Sequence, residues 1–460
     1  MAKKIVFIGA GPGGYVGAIK AAKLGCDVTV IEKDRVGGTC LNRGCIPTKA
    51  LLASSDVLTA IREAEEFGIH IDGKVSPDLN SIMARKDKIV ERLVKGIEFL
   101  FEKNGVKMIK GIGRICGKNE VAVLKDDGST ETLQADAIVV ATGSSPARIP
   151  IFPYDGKKVI TSDEALNLKV LPSSMIIVGA GVIGCEFGMF FKNLGTDIIM
   201  VEMMDHALPL EDKEIGREME KVFKRKKIKL MLSARIVKVE TDDAGVKATL
   251  ENGEQIEAEM MLVAIGRKAN IQDLGLEDIG VKIESGRIPV DEYMKTNIDS
   301  IYAIGDVVPG PQLAHLASAE GECAVENILG NKCPMDYSAV PRGVFTDPEV
   351  SGAGLTEEEA LAKGLNIRKG IFDFRGLGKA QAMGQLTGRV KVIADEKTGK
   401  ILGASIIGPH ATDLIQELAA GIKYGLTAEQ LGRVVHAHPT LTEAVMEALK
   451  DVNGDAIHKV

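Results

Sequence analysis

The feature that most constrains this chain is a strand–turn–helix–strand unit that occurs twice. In the first copy an apolar run ending at Ile8 leads into the turn "GAGPGG", a helical pattern extends to Leu24, and the run "DVTVIE" ends at Glu32. In the second copy an apolar run leads into "GAGVIG", a helical stretch extends to Leu194, and "DIIMVE" ends at Glu202. The first glycine and the final acid are 23 residues apart in both copies, at positions 9 and 32 and at positions 179 and 202. The repeat predicts two α/β domains built on parallel strands.

A G-x-G-x-x-G turn between a strand and a helix is typical of a dinucleotide-binding site. The first glycine allows a tight turn, the second lets the backbone approach a pyrophosphate, and the third lets the helix pack on the sheet. The helix N-terminus supplies N–H donors for phosphates, and the carboxylate that ends the second strand accepts hydrogen bonds from a ribose. The residues concerned are Gly9, Gly11, Gly14 and Glu32 in the first copy, and Gly179, Gly181, Gly184 and Glu202 in the second.

A later apolar strand in each copy also ends in glycine, at Gly143 in "ADAIVVATG" and at Gly266 in "AEMMLVAIG". This glycine follows the first turn glycine by 134 positions in the first copy (9 to 143) but by 87 in the second (179 to 266). The additional length of the first copy contains two closely spaced cysteines and a long helical region, about Pro47 to Asn104. We therefore expect the two copies to have different functions, because only the first carries the cysteine pair.

The residues that follow the second acid indicate which nucleotide that copy prefers. Recognition of a 2′-phosphate requires Arg or Lys just beyond the second strand. The residues from Met203 to Asp212 include neither, and three of them are carboxylic acids. The second copy is therefore predicted to bind NAD(H) rather than NADP(H).

Length, charge and hydropathy patterning disfavour several other classes of protein. A chain of 460 residues is too long for one core, which predicts about three domains. The formal net charge of −7 disfavours a nucleic-acid partner, because phosphates would be repelled. The longest apolar runs are short and broken by glycine, so no membrane span is expected. Lys3 and Lys4 lead directly into the first strand without a signal peptide, which predicts a cytoplasmic protein.

Seven cysteines stand at positions 26, 40, 45, 116, 185, 323 and 333. An odd, scattered set does not form a disulfide framework, and five of them are expected to be small buried hydrophobic residues. Only Cys40 and Cys45, in "GGTCLNRGCIPTK", lie close together in the sequence.

Three kinds of site could use this pair. A zinc or iron–sulfur site needs about four ligands, and no second cysteine or histidine cluster accompanies the pair. A structural disulfide closing so short a loop would remove little entropy from the unfolded chain. A redox pair is favoured, because a helix is predicted just after Cys45, with Pro47 in its first turn, and would lower the pKa of a thiol at its N-terminus. Lys49, four residues beyond Cys45, would share that face of the helix. Arg43, between the cysteines, could tune the thiols or lie only at the surface.

The stretch "GGTCLNRGCIPTKALL", after an N-terminal dinucleotide motif, resembles the flavin-dependent pyridine nucleotide-disulfide oxidoreductases. Within this family the chain is most similar to the members that oxidise dihydrolipoyl groups. Matching stretches cover nearly the whole chain: "ATGS" at 141–144, "GAGVIGCEF" at 179–187, "AIGRKAN" at 264–270, "TNIDSIYAIGDV" at 296–307 and "HAHPTLTEAVMEAL" at 436–449. The resemblance implies an α/β fold with two Rossmann-like dinucleotide-binding domains plus a C-terminal α+β dimerisation domain.

The resemblance also implies that the first copy binds FAD and the second binds NAD. Asp306 would hold the ribityl chain of FAD, Ala314 and His315 would open a helix that faces the pyrimidine end of the flavin, and Lys49 would lie near flavin N5, paired with Glu186. The implied FAD contacts are Gly9, Gly11, Gly14, Glu32, Lys49, Gly113, Ala141, Thr142, Gly143, Asp306, Ala314 and His315. The implied NAD contacts are Gly179, Gly181, Gly184, Glu186, Glu202 and Gly266.

A dithiol substrate must lose protons near neutral pH before it can exchange with a disulfide. His438 is followed by a turn-forming proline, Pro439, and by a carboxylate at Glu443, and a carboxylate on one ring nitrogen raises the basicity of the other. The resemblance implies that His438 and Glu443 form the catalytic base, that the His438–Pro439 bond is cis, and that the dyad serves Cys40 of the other subunit of a homodimer. The implied catalytic residues are Cys40, Cys45, Lys49, Glu186, His438 and Glu443.

The chain beyond about Val340 contains hairpin-like strands in "RVKVIADEKTGKILGASIIG" and helical patterns that include a T-x-x-Q capping box at Thr427, without a nucleotide motif. We predict an FAD-binding domain at 1–145, an NAD-binding domain at 146–272, a return to the FAD domain at 273–339 and an interface domain at 340–460. The implied reaction oxidises protein-bound dihydrolipoyl groups and reduces NAD+. Its implied partners are lipoyl domains of 2-oxoacid dehydrogenase complexes or the glycine cleavage H protein. A glutathione or mercuric reductase, a soluble transhydrogenase and a non-catalytic flavoprotein are the alternatives.

Overall fold

The computed structural model describes residues 2–459 of the chain. The strands in chain order are β1 Lys4–Ile8, β2 Asp27–Glu32, β3 Lys107–Lys110, β4 Ile112–Gly117, β5 Glu120–Leu124, β6 Thr130–Gln134, β7 Ala137–Val140, β8 Ser144–Pro146, β9 Val159–Ile160, β10 Ser174–Val178, β11 Asp197–Val201, β12 Lys229–Met231, β13 Ile236–Thr241, β14 Val246–Leu250, β15 Gln255–Ala258, β16 Met260–Val263, β17 Arg267–Ala269, β18 Ile301–Ala303, β19 Arg342–Val344, β20 Glu349–Gly354, β21 Ile367–Asp373, β22 Arg389–Asp395 and β23 Ile401–Gly408.

The α-helices are α1 Pro12–Lys23, α2 Gly38–Arg43, α3 Cys45–Arg62, α4 Leu79–Asn104, α5 Ser162–Ala165, α6 Val182–Leu194, α7 Lys213–Arg225, α8 Ala314–Ile328, α9 Glu357–Ala362, α10 Gly378–Met383, α11 Ala411–Lys423, α12 Ala428–Gly432 and α13 Glu443–Asp451. Short 3₁₀ helices lie at Ala64–Phe67, Gly305–Val307 and Phe374–Gly376. Among the helices of residues 2–459, none is long and apolar enough to cross a membrane.

The chain forms two compact units. The first comprises the chain up to Leu51, together with Asp78–Ala147 and Gly266–Asp336. The second comprises Leu52–Pro77, Arg148–Ile265 and the chain from Tyr337 onward.

The first unit is built on a parallel sheet of order β18-β7-β1-β2-β3. Its strands are short β-branched runs that are buried on both faces, as expected where helices cover a parallel sheet. Phe7, Val30 and Val139 of this sheet belong to one buried apolar cluster. Val90 and Phe101 of α4 belong to the same cluster. An antiparallel sheet of order β4-β5-β6 belongs to the same unit.

The second unit repeats the parallel arrangement as β12-β11-β10-β16-β9. In both sheets the strand before the glycine turn lies between the strand that ends near the acid and the later strand that leads to a glycine. The prediction of two α/β units with parallel strands is therefore confirmed. An antiparallel sheet of order β13-β14-β15 accompanies this second copy.

The C-terminal part of the second unit contains a five-stranded sheet of order β19-β20-β23-β22-β21, in which neighbouring strands are antiparallel. Leu414, Ile415 and Leu418 of α11 and Val445 and Leu449 of α13 pack in its apolar core. The predicted hairpin is formed by β22 and β23. The predicted capping box is confirmed, because Gln430 N donates to Thr427 Oγ1 at 3.1 Å and Thr427 N donates to Gln430 Oε1 at 2.9 Å.

A buried lysine of β22 connects this sheet to α7 and α9. The Lys391 side chain is 2% exposed, and its Nζ lies 2.9 Å from Asp212, 3.2 Å from Glu214 and 2.6 Å from Glu357. Desolvating four charged groups is tolerated only where each of them is paired. Burial raises the pKa of Glu357, but hydrogen bonds from Lys369 and Lys391 hold that pKa below its usual range.

The expectation that five cysteines are buried hydrophobic residues is wrong for three of them. Cys185 and Cys323 are buried, but Cys26 is only partly buried and Cys116 and Cys333 are exposed. Cys116 is exposed because burial alternates along β4 and its side chain lies on the face opposite to that of the buried Ile115.

Candidate active site

The cysteine pair lies on two successive helices beside the first glycine turn. Cys40 is in α2 and Cys45 is the first residue of α3, so a helix does begin at the second thiol. A Cβ added to Gly38, which has φ +56°, would lie 2.6 Å from the Cα of Gly11. Only glycine permits this approach of two backbones, and it holds α2 against the turn that precedes α1.

Neither thiol is in a disulfide, and the two side chains interact with each other. The hydrogen bond with Cys45 and burial raise the pKa of Cys40, while the ammonium of Lys49 opposes the rise. The lowered pKa that we expect for Cys45 at the N-terminus of α3 stays a prediction.

Asn42 and Arg43 of α2 hold this short helix, which carries Cys40, against the loop before it. The side-chain amide of Asn42 donates to the carbonyl oxygens of Val36 at 3.0 Å and Gly38 at 2.9 Å. Arg43 forms an ion pair with Asp34, and both side chains are about half exposed. Arg43 is therefore a surface residue that pairs with a neighbouring loop.

The first glycine turn is shaped by backbone contacts. A Cβ added to Gly9 would lie 2.3 Å from the carbonyl oxygen of Ala141, and one added to Gly14 would lie 2.0 Å from that of Gly9. An added Cβ at Gly11 would meet only the Cα of Gly38, at 3.9 Å. The first and third glycines are thus required by the fold, whereas the second leaves room above the helix N-terminus.

The second glycine turn has the same geometry. A Cβ on Gly179 would lie 2.6 Å from the carbonyl oxygen of Ala264, and one on Gly184 would lie 1.9 Å from that of Gly179. Among the described residues, no heavy atom lies within 4 Å of a Cβ added to Gly181. Packing within the protein does not explain glycine at this position, but the approach of a pyrophosphate does.

The acids that end the second strands brace the glycine turns, a role that sequence reasoning missed. Glu32 accepts hydrogen bonds from the amides of Ala10 and Asp34, both at 2.8 Å. Glu202 accepts equivalent bonds from Ala180 at 2.7 Å and Met204 at 2.9 Å. Burial raises the pKa of Glu32, although the Ala10 amide opposes the rise. Each carboxylate oxygen can accept more than one hydrogen bond, so both acids remain able to bind a ribose.

Asp306 is held from several sides. Its carboxylate accepts a hydrogen bond from the hydroxyl of Ser144, which is 2% exposed. Arg267 donates to Ser144 Oγ through Nε and to its carbonyl oxygen through Nη2, both at 2.7 Å. The amide of Gly305 donates to the buried carboxylate of Glu320 at 2.6 Å. Sequence reasoning missed Ser144, Arg267 and Glu320, although "ATGS" and "AIGRKAN" contain the first two.

The helix predicted at Ala314 is confirmed, because α8 begins there, with His315 exposed in its first turn. A Cβ on Gly13 would lie 2.8 Å from the carbonyl oxygen of Ala317, so glycine lets α1 and α8 pack closely. Just before α8, the Nε2 atom of Gln312 is buried and has no hydrogen-bond partner within the described protein. A buried donor of this kind requires an acceptor, which a bound group can supply.

The remaining predicted FAD contacts lie at strand ends of the first unit. The backbone amide of Ala141 donates to the carbonyl oxygen of Ile8 at 2.9 Å, and the hydroxyl of Thr142 donates to the carbonyl oxygen of Asn270 at 2.6 Å. Gly143 has φ +67°. A Cβ on Gly113 in β4 would lie 3.1 Å from Ile8 and 3.2 Å from Ile31. Gly266, a predicted NAD contact, has φ +113°.

The predicted base pair is present in the second unit. His438 Nδ1 lies 2.9 Å from Glu443 Oε1, and the amide of Thr440 donates to Glu443 Oε2 at 2.9 Å. The His438–Pro439 bond is cis. Burial raises the pKa of Glu443, but the hydrogen bond from His438 and the amide of Thr440 hold it below its usual range.

Glu186 is buried in α6, where its carboxylate accepts a hydrogen bond from the amide of Phe345 at 3.0 Å. Its pairing with Lys49 and the approach of His438 to Cys40 concern residues of different units, and both stay predictions.

Taken residue by residue, both turns fit a dinucleotide. Each combines an open second glycine, a helix N-terminus without a side-chain cap and an acid at the end of the second strand. The first unit would hold FAD through Gly11, Glu32 and Asp306, and the second would hold NAD through Gly181 and Glu202.

Family comparisons agree with this geometry. A family described as pyridine nucleotide-disulphide oxidoreductase matches residues 3–321, and its dimerisation domain matches residues 340–449. The chain is 42% identical over 469 residues to the dihydrolipoyl dehydrogenase of Bacillus subtilis, covering 99% of this chain and 98% of the relative. It is 41% identical over 461 residues to that of Halobacterium salinarum, covering 99% and 97%.

Solved structures give the same result. LpdA from Mycobacterium tuberculosis superposes with a TM-score of 0.92 at 31% identity, covering 98% of this chain and 99% of that one. The Cu(II) complex of RclA, an HOCl-induced flavoprotein disulfide reductase from Escherichia coli, superposes with a TM-score of 0.87 at 26% identity, covering 98% and 99%.

Proposed function

This chain belongs to the pyridine nucleotide-disulphide oxidoreductase family, and from that premise we propose that it is a dihydrolipoyl dehydrogenase. It oxidises dihydrolipoyl groups to the cyclic disulfide and reduces NAD+ to NADH. The observation that carries the proposal is the contact between Cys40 and Cys45 at the start of α3, beside an open glycine turn.

The enzyme uses FAD and NAD, as its family does. When bound, FAD supplies a two-electron relay between the thiol pair and the nicotinamide. We assign FAD to the first unit and NAD to the second, since the residues after Glu202 provide no cation for a 2′-phosphate.

The thiol pair exchanges with the substrate in its disulfide form. A substrate thiolate attacks the sulfur of Cys40, the Cys40–Cys45 bond breaks, and Cys45 leaves as a thiolate. The second substrate thiol loses its proton, attacks the first substrate sulfur and expels Cys40. The substrate disulfide has then formed, and its two electrons reside on the pair.

His438 accepts the protons that the substrate thiols lose. Its Nδ1 donates to Glu443, which leaves Nε2 as the basic nitrogen. The amide of Thr440 occupies the second carboxylate oxygen and keeps Glu443 in place. We assign this dyad to the thiol pair of the other subunit of a homodimer, a proposal that the match to a dimerisation domain supports.

Lys49 stabilises thiolate charge in the pair, since its ammonium opposes the rise in the pKa of Cys40 that Cys45 and burial cause. The predicted Lys49–Glu186 pairing, the remaining FAD and NAD contacts and the domain limits at 145, 272 and 339 are parts of the same proposal. The lipoyl partner is a separate protein that belongs to a 2-oxoacid dehydrogenase complex or to the glycine cleavage system. We place the reaction in the cytoplasm, because the seven cysteines are an odd, scattered set that does not form a disulfide framework.

The test measures NADH oxidation by the purified protein with lipoamide, with oxidised glutathione, or with no disulfide. Lipoamide should support turnover, oxidised glutathione should not, and Cys45→Ser should abolish the lipoamide reaction. Cys116→Ser is the matched control, because this exposed thiol lies outside the pair. Turnover that needs no lipoamide and survives Cys45→Ser would rule out the assignment.

A further inference from the structure

The segment that carries His438 is held mainly by side chains. It follows α12, precedes α13 and contains no helix or strand. Within residues 2–459, no backbone amide from Val435 to Leu441 donates to another backbone carbonyl. The His438 side chain is 78% exposed, so packing does not fix it either. The position of this imidazole therefore depends on hydrogen bonds at the two ends of the segment.

The downstream end is anchored on α13. Glu443, the first residue of α13, binds both His438 and the amide of Thr440. The hydroxyl of Thr440 also donates to the carbonyl of Ala437 at 2.7 Å. These bonds belong to the catalytic dyad already described.

The upstream end is anchored by a second histidine, which the proposed mechanism does not use. The His436 side chain is only 5% exposed. Its Nε2 lies 3.0 Å and 3.2 Å from the two carboxylate oxygens of Glu417 in α11, and its Nδ1 lies 2.8 Å from the carbonyl oxygen of Val434.

Both partners of the His436 ring are acceptors without a proton to give. A backbone carbonyl and a carboxylate accept hydrogen bonds, so each nitrogen of the buried ring faces an acceptor of its own. The contact with Glu417 fastens the segment to α11 two residues before His438.

We propose that His436, through its contact with Glu417, is a positioning residue for His438. Anchored on α11 upstream and on α13 downstream, the segment presents the imidazole of His438 to the substrate thiol in one orientation. The inference rests on the proposed function, because it requires His438 to act as the base.

The experiment compares the two half-reactions of the holoenzyme, the reduction of its flavin by dihydrolipoamide and by NADH. His436→Ala should slow reduction by dihydrolipoamide between about tenfold and a hundredfold, as expected when a proton acceptor is misplaced by about 1 Å. Reduction by NADH should change by less than about twofold, since it needs no base on the substrate thiol. His436→Gln, which keeps a donor for Glu417, should recover part of the lost rate.

His458→Gln is the matched control, because it removes another imidazole–carboxylate pair, His458 with Glu447 at 3.1 Å, from the same unit. It should leave both half-reactions unchanged. Equal losses in both half-reactions of His436→Ala, or no loss in either, would overturn the inference. If dihydrolipoamide fails to reduce the wild-type flavin while NADH reduces it, the proposed function fails and the inference falls with it.

Discussion

The substitution Gly181→Ala separates the space that a nucleotide needs from the space that the fold needs. Gly181 has φ −76° and ψ −172°, an extended conformation that alanine adopts readily. Among the described residues, no heavy atom lies within 4 Å of the added Cβ. The variant should therefore fold, and the stiffer unfolded chain should stabilise it by about 0.4–1 kcal/mol.

Binding of NADH should nevertheless weaken. The methyl group occupies the side of the turn that a pyrophosphate approaches, so we expect the dissociation constant to rise at least about tenfold, or about 1.4 kcal/mol. Reduction of the flavin by dihydrolipoamide should persist, because the thiol pair lies in the other unit.

Gly184→Ala is the control for a required glycine in the same turn. Its Cβ would lie 1.9 Å from the carbonyl oxygen of Gly179, against a normal contact of 3.4 Å or more, so the backbone must move by about 1.5 Å. Overpacking of this kind costs about 1–3 kcal/mol or more. Thermal unfolding and NADH titration of both variants test the reasoning. It is refuted if Gly181→Ala unfolds as early as Gly184→Ala, or if Gly181→Ala binds NADH as tightly as the wild type.

Three further predictions concern stability and thiol exposure. Lys391→Met leaves the buried Asp212 without its cation, while Glu214 keeps Arg389 and Glu357 keeps Lys369, and should cost about 3–5 kcal/mol in urea unfolding at pH 7. The folded pKa of Glu357 is lowered, so the stability that its ion pair contributes is present above the unfolded pKa of about 4.3 and is lost as pH falls through the folded pKa. The difference in unfolding free energy between wild type and variant should therefore narrow below about pH 4. A difference that stays constant with pH would contradict this. Thr427→Ala removes the capping box of α12 and should cost about 1 kcal/mol, whereas an unchanged midpoint would show that the box contributes nothing. A maleimide should label Cys116 and Cys333 in the native protein faster than the buried cysteines, as mass spectrometry of the labelled peptides can measure. Faster labelling of the buried cysteines would contradict the prediction.

Local pattern predicted the regular parts of this molecule well. The two strand–turn–helix units and the capping box of α12 each depend on residues close together in the sequence, whereas the start of α8 was implied by the family resemblance. For the same reason the thiol pair could be singled out, since its members are five positions apart, whereas the role of the His438–Glu443 pair was implied by the family resemblance. Burial of single cysteines was predicted less well, because exposure depends on which face of a strand is covered and on which loop a residue lies in.

The sequence by itself determined the fold class, the two nucleotide turns and the chemistry of the thiol pair, because glycine conformation and thiol spacing are properties of short segments. Only the tertiary structure decided what holds those parts in working positions. Ser144 reaches Asp306 across 162 positions, and Lys391 meets Asp212 across 179. Such contacts form only when distant strands and helices pack together, and no local pattern encodes them.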